Sequence, residues 1–164
     1  MSREWPQYIF LALAAVCAAC TGVIPQQAIP DYARFSHSWA VPHVTLYWDC
    51  TDAEPGVLRI QGVGVNQWEP VPPEFLELNL VGLDAQGRPL SQVKGPAQEA
   101  ELTKNFPASF RLDLRQQGGE VRVDLGYRYW YRDDSLDGPF RRMPTYIAGR
   151  VPDACGQGGR IPQK

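Results

Sequence analysis

From Val41 onward the apolar residues recur at every second position, and no stretch sustains a helical repeat long enough to compete with that alternation. The clearest case runs from Glu120 to Arg132. Val121, Val123, Leu125, Tyr127, Tyr129 and Tyr131 share one face, with Glu120, Arg122, Asp124, Arg128 and Arg132 on the other. Over Glu74 to Asp84 the residues Leu76, Leu78 and Leu80 alternate with Glu77 and Asn79, and Phe110, Leu112 and Leu114 alternate with Arg111, Asp113 and Arg115. Val44, Leu46 and Trp48 predict a further strand. So does Val57 to Val65, where the apolar phase moves from Leu58 and Ile60 to Val63 and Val65, which predicts a bulge at Gly62. Asp84 to Gly87 and Gln116 to Gly119 carry the Asp and Gly signals of tight turns. Five or six strands joined without intervening helices predict an all-β fold, a small antiparallel sandwich over residues 41–134.

The flanks read differently. Residues 20–40 form an expected tether, Glu69 to Pro73 a stiff loop, and 135–164 a Gly/Pro-rich C-terminal tail with little periodicity of its own. The length of 164 residues suits one globular domain. With 16 Lys and Arg against 18 Asp and Glu the formal charge is −2, which disfavours a nucleic-acid partner because such proteins concentrate excess cations on one face.

The N-terminus carries an apolar run of 13 residues, Tyr8 to Cys20, preceded by Arg3 and Glu4. A spanning helix needs about 20 apolar residues, so the run fits a signal-peptide core better. It ends in Cys17-Ala18-Ala19-Cys20 and resembles the lipobox of bacterial lipoproteins. That resemblance implies a signal peptide over 1–19, lipid on Cys20, and anchorage to a membrane through the acyl chains. Ordinary signal cleavage and an uncleaved anchor are the alternatives, and each also exports the rest of the chain. Thr21, in place of Asp after the lipidated cysteine, fits sorting to the periplasmic side of the outer membrane if the source is Gram-negative.

Removing Cys17 with the signal and committing Cys20 to lipid leaves Cys50 and Cys155. In an oxidising compartment an even remainder predicts one disulfide, here pinning the tail to the sandwich. A metal pair or two free thiols is the other reading, but no second Cys or His stands at metal spacing from either residue.

Residues 44–132 resemble the FxLYD-type Ig-like domains of bacterial envelope proteins. The likeness lies in Ile60, Gly62 and Asn66 at the end of one strand, in the stretch from Phe75 through Leu90 with its Asp-x-x-Gly turn, and in Phe106 to Leu114. Gly64 departs from it, standing where that family places a branched apolar residue. The resemblance implies a scaffold or binding module without catalysis, and names no ligand.

Candidate chemistry is sparse. There is no Gly-x-Ser-x-Gly, and neighbouring side chains of Ser36-His37-Ser38 point to opposite faces of an extended chain, so His37 and His43 are expected as solvated loop residues. Asp133, Ser135, Asp137 and Gly138 match the opening of an EF-hand loop, but Pro144 stands where the bidentate Glu belongs, which favours a plain turn over a weak calcium site. Gly62-Val63-Gly64 lacks the helix a dinucleotide loop needs, and Arg141-Arg142 is an isolated pair. Trp130 between Arg128 and Arg132 has the composition of an interface hot spot and is the candidate partner surface, against a second reading in which the arginines merely flank the indole.

These observations converge on an expectation: a small envelope lipoprotein, with no catalytic, cofactor or metal residues, whose Ig-like sandwich binds a protein or glycan partner. The alternatives are an accessory subunit with an apolar patch around Trp39, Trp48, Trp68 or Trp130, and an enzyme or calcium-dependent module with scattered residues.

Overall fold

A computed structural model describes residues 31–67, 72–99, 102–103, 107–132 and 144–156. Two four-stranded antiparallel sheets make a β-sandwich. The first has the order β1 (His37–Ala40), β2 (Val44–Glu54), β3 (Val57–Asn66), β6 (Ala108–Arg115), and the second the order β5 (Pro89–Pro96), β4 (Glu74–Leu83), β7 (Arg122–Arg132), β8 (Pro144–Val151). Strands β2-β3, β4-β5 and β7-β8 are adjacent neighbours in one sheet, whereas β3-β4, β5-β6 and β6-β7 cross between sheets. With β2 taken as strand A, the sheets read A-B-E and C′-C-F-G, the arrangement of an Ig-like sandwich with β1 added at one edge.

The alternation read from the sequence becomes the core. Val44, Leu46, Trp48, Ile60 and Leu114 from the first sheet meet Leu76, Leu78, Leu80, Leu125 and Tyr129 from the second, all buried. Each such side chain contributes about 1.5–3 kcal/mol by leaving water, and the polar neighbours on the same strands stay outside. Val121 is the exception, since β7 begins after it and it is 65% exposed.

Three features differ from the sequence expectation. Among the described residues the sandwich has eight strands and extends past 41–134: β1 lies within the expected tether and β8 within the expected tail. Both, like β5, are edge strands that fully bury a single residue each, too few to display a strong period, whereas the edge strand β6 buries every second residue and does display one. There is also no bulge at Gly62. Pairing of β2 with β3 runs without a slip from Val44↔Asn66 to Asp52↔Leu58. Gly62 and Gly64 keep the inward phase of Leu58 and Ile60, and both are buried. A Cβ on Gly62 would run into the Tyr47 carbonyl oxygen and lie 2.8 Å from Cα and Cβ of Trp48, so the close approach of β2 leaves no room for a side chain there. The apparent phase shift is thus two vacated core positions.

Cys50 on β2 and Cys155 in the turn after β8 form a disulfide, with Cα atoms 5.7 Å apart. It ties the first sheet to the end of the second. Around it the Trp48 indole donates to the Ala154 carbonyl at 2.9 Å, and the Ala154 amide donates to the Val123 carbonyl at 2.7 Å.

Candidate functional site

The outer face of the second sheet brings together the residues most suited to recognition. Glu77, Asn79 and Val81 of β4 point outward between the buried Leu76, Leu78 and Leu80, and Asp124, Gly126, Arg128 and Trp130 do so on β7. Register then sets the rows: Lys94 of β5 beside Asn79, Gly126 beside Asn79 from the other side, and Arg150 of β8 beside Gly126.

At one end of this face stands an aromatic ledge. The pairing of β4 with β7 slips between Glu74 and Glu77, so one extra residue bulges out of β4. Phe75 occupies that bulge at φ 53°, a conformation strained for a bulky side chain, and its ring is 51% exposed. The bulge sets Phe75 at 4.6 Å from the Trp130 ring while the Trp130 indole donates to Glu74 Oε2 at 3.3 Å. On the other side Tyr146, 61% exposed and paired with Trp130 across the β7-β8 ladder, meets it edge to face at 5.4 Å. Trp130 is half-buried between them. Large exposed apolar rings held by backbone strain mark functional surfaces more often than stability devices.

Two hollows lie along this face, one against the ledge and one farther along β7, and Arg128 lines both. One, of about 300 Å³, lies against Phe75, Trp130, Pro96 and Glu99. The other, of about 270 Å³, is floored by Gly126 and walled by Asn79, Gln92, Lys94 and Arg150. Glu77 accepts from both Lys94 and Arg128 at 3.0 Å, and the buried Asp124 carboxylate is shared by Arg122 at 3.3 Å and Arg150 at 3.6 Å.

The residues singled out in the sequence fall in different places. Arg128 and Trp130 belong to this face, and the Arg132 side chain lies outside the described set. The ring neighbours of Trp130 are Phe75 and Tyr146, aromatic partners contributed by β4 and β8 that no local pattern around residue 130 signals. Cys20, Trp68, Asp133 to Gly138 and Arg141-Arg142 are outside the described residues. Of the remaining tryptophans, Trp48 is a core residue and Trp39 packs half-buried against that core.

The histidines are not solvated loop residues. His37 is 8% exposed on β1 and stacks on Trp48 at 5.6 Å. His43, in the turn between β1 and β2, has its Nδ1 3.3 Å from the Tyr129 hydroxyl and its ring 4.3 Å from that of Tyr131. Burial pushes the Tyr129 phenol up to about 12 and holds the His43 imidazole below its ordinary value. The contact between the Tyr129 hydroxyl and His43 ties the β1-β2 turn to β7. Among the described residues no helix is long and apolar enough to cross a membrane, and no group of three or more His, Cys, Asp or Glu is placed to hold a metal ion.

No protein-family model, curated protein or solved structure matches this chain.

Proposed function

We propose that the chain is a small exported envelope lipoprotein, lipidated at Cys20, whose sandwich acts without catalysis by binding a partner on the outer face of its second sheet. The observation that carries the binding role is the Phe75–Trp130–Tyr146 ledge, in which a strained bulge and an edge strand hold aromatic rings at the surface beside two hollows. Aromatic and arginine side chains together are the composition of binding hot spots. Export is supported by the Cys50–Cys155 bridge, since disulfides persist in oxidising compartments, and the lipid by the small residues before Cys20. The resemblance to FxLYD-type domains agrees with a binding or structural role.

The test uses the full chain expressed in bacteria. Labelled palmitate should enter the wild-type chain and not Cys20→Ser, and an unlabelled wild-type chain would overturn the lipid assignment. After detergent extraction, chemical cross-linking should trap the wild-type chain with an envelope component, and the double variant Trp130→Ala/Tyr146→Ala should lose that product while keeping its thermal transition within a few degrees. An undiminished product would remove the ledge from the binding role.

A further inference from the structure

Building on that reading of the outer face, we infer that its ligand is a carboxylate-bearing glycan, with sugar rings against the ledge and an acidic substituent in the hollow floored by Gly126. The charge of this face runs against that of the chain. The whole sequence is at −2, yet the hollow is lined by three cations, Lys94, Arg128 and Arg150, and one carboxylate, Glu77, while the buried Asp124 beneath Arg150 is shared with Arg122. Two positive charges are left over on a wall that an incoming anion can reach. Arg128 and Arg150 carry planar forks suited to a carboxylate, and both are exposed.

The neutral part of the wall points the same way. Gln92 Nε2 donates to Asn79 Oδ1 at 2.9 Å, which leaves the Asn79 amide nitrogen and the Gln92 carbonyl oxygen as a donor and an acceptor for hydroxyl groups. Trp130, Arg128 and Gly126 alternate along β7, so ledge and hollow are about 13 Å apart, a span of about two to three sugar rings. Amphipathic aromatic rings accept the apolar faces of sugars while their polar ends stay wet. An acidic peptide fits less well. The hollow lies over β4 and β7, the two inner strands of the sheet, whose backbone groups are consumed by ladders on both sides, so an extended peptide gains no main-chain pairing there.

The experiment titrates the full chain, in a zwitterionic detergent free of sugar, with trigalacturonic acid, neutral galactotriose and hexaglutamate, following tryptophan fluorescence and calorimetry. Trigalacturonic acid should bind at least tenfold more tightly than galactotriose, and the difference should shrink as salt rises from 20 to about 500 mM because the rim charges are exposed. Arg150→Ala and Lys94→Ala should each weaken the acidic trisaccharide at least fivefold, Lys94→Ala without moving the melting temperature, and Arg150→Lys, which keeps a cation beside Asp124, should recover part of the loss. Equal affinity for the two trisaccharides overturns the acidic preference and leaves the ledge standing. Hexaglutamate bound as tightly as trigalacturonic acid overturns the glycan assignment in favour of a peptide. No response to any of the three overturns the inference, whereas the ledge itself falls only if cross-linking survives loss of Trp130 and Tyr146.

Discussion

Replacing both Cys50 and Cys155 by Ala should destabilise the sandwich by about 4 kcal/mol, almost all of it through the unfolded chain. The bridge joins residues 105 apart in sequence, and closing a loop of about 100 residues is worth about 4.7 kcal/mol in the chain-entropy model. Native contacts explain why little of that is offset or added in the folded state. Ala154 is fully buried, its amide bonds to the Val123 carbonyl at 2.7 Å, its carbonyl accepts from Trp48 at 2.9 Å, and the Asp153 amide donates to Asp124 at 3.0 Å. These hold the turn after β8 in place with or without the sulfurs. Equilibrium urea unfolding followed by tryptophan fluorescence is the assay: with a slope of about 2 kcal/mol/M, the midpoint should fall by about 2 M. The slope should also rise, because an uncrosslinked unfolded chain exposes more surface. The folded variant should retain the emission maximum of the wild type, since Trp48 keeps its hydrogen bond. A loss under about 1 kcal/mol with an unchanged slope would refute the reasoning and assign the stability of this end of the sandwich to the hydrogen bonds alone.

Gly62→Ala should cost about 1–3 kcal/mol by thermal unfolding, because the new methyl meets the Tyr47 carbonyl and the Trp48 backbone on a fixed strand. Gly56→Ala, with open space around it but φ +76°, should cost about 1 kcal/mol. Asp113 is held at about 2 by hydrogen bonds from Arg59, at 2.7 Å and 3.0 Å, and from Arg111 at 3.3 Å. Its folded value lies below the unfolded one, so its contribution is complete above about pH 4 and disappears as pH falls toward 2. With the carboxylate 38% exposed the effect is about 1 kcal/mol or less, and Asp113→Asn should flatten that part of the acid limb of a stability profile. For Tyr129 the sign reverses: its folded value of about 12 exceeds the ordinary one near 10, so its contribution is intact below pH 10 and is lost as pH rises through 12. A tyrosinate absorbance titration should show a component near pH 12 that Tyr129→Phe removes.

The strands with one face fully buried were legible in the sequence because a half-buried strand must alternate, and Leu76 to Leu80 and Val123 to Tyr131 on inner strands and Phe110 to Leu114 on the edge strand β6 do so without interruption. The turn at Asp84 to Gly87 was equally legible: the Asp84 carboxylate accepts from the Gln86 amide at 2.9 Å, its carbonyl accepts from the Gly87 amide at 2.9 Å, and Gly87 sits at φ +77°. The pairing of Cys50 with Cys155 followed from counting thiols. Strands β1, β5 and β8 were not legible, because each fully buries a single residue and has no period to show, whereas β6, equally at an edge, buries every second residue.

The candidate site divides in the same way. Arg128 and Trp130 stood out by composition on a single strand, which local sequence can report. Phe75, Tyr146, Lys94 and Arg150 join them only through register, from three other strands distant in sequence from Trp130. The bulge at Phe75 is a property of two paired strands, and the depression at Gly126 exists because four strands place a glycine between Lys94, Arg128 and Arg150. By itself the sequence determined which residues turn inward on the strongly periodic strands, since burial of one face is a demand that each of them meets locally. Which exposed side chains become neighbours was decided by the tertiary structure alone, because lateral order and register are set by packing between strands distant along the chain.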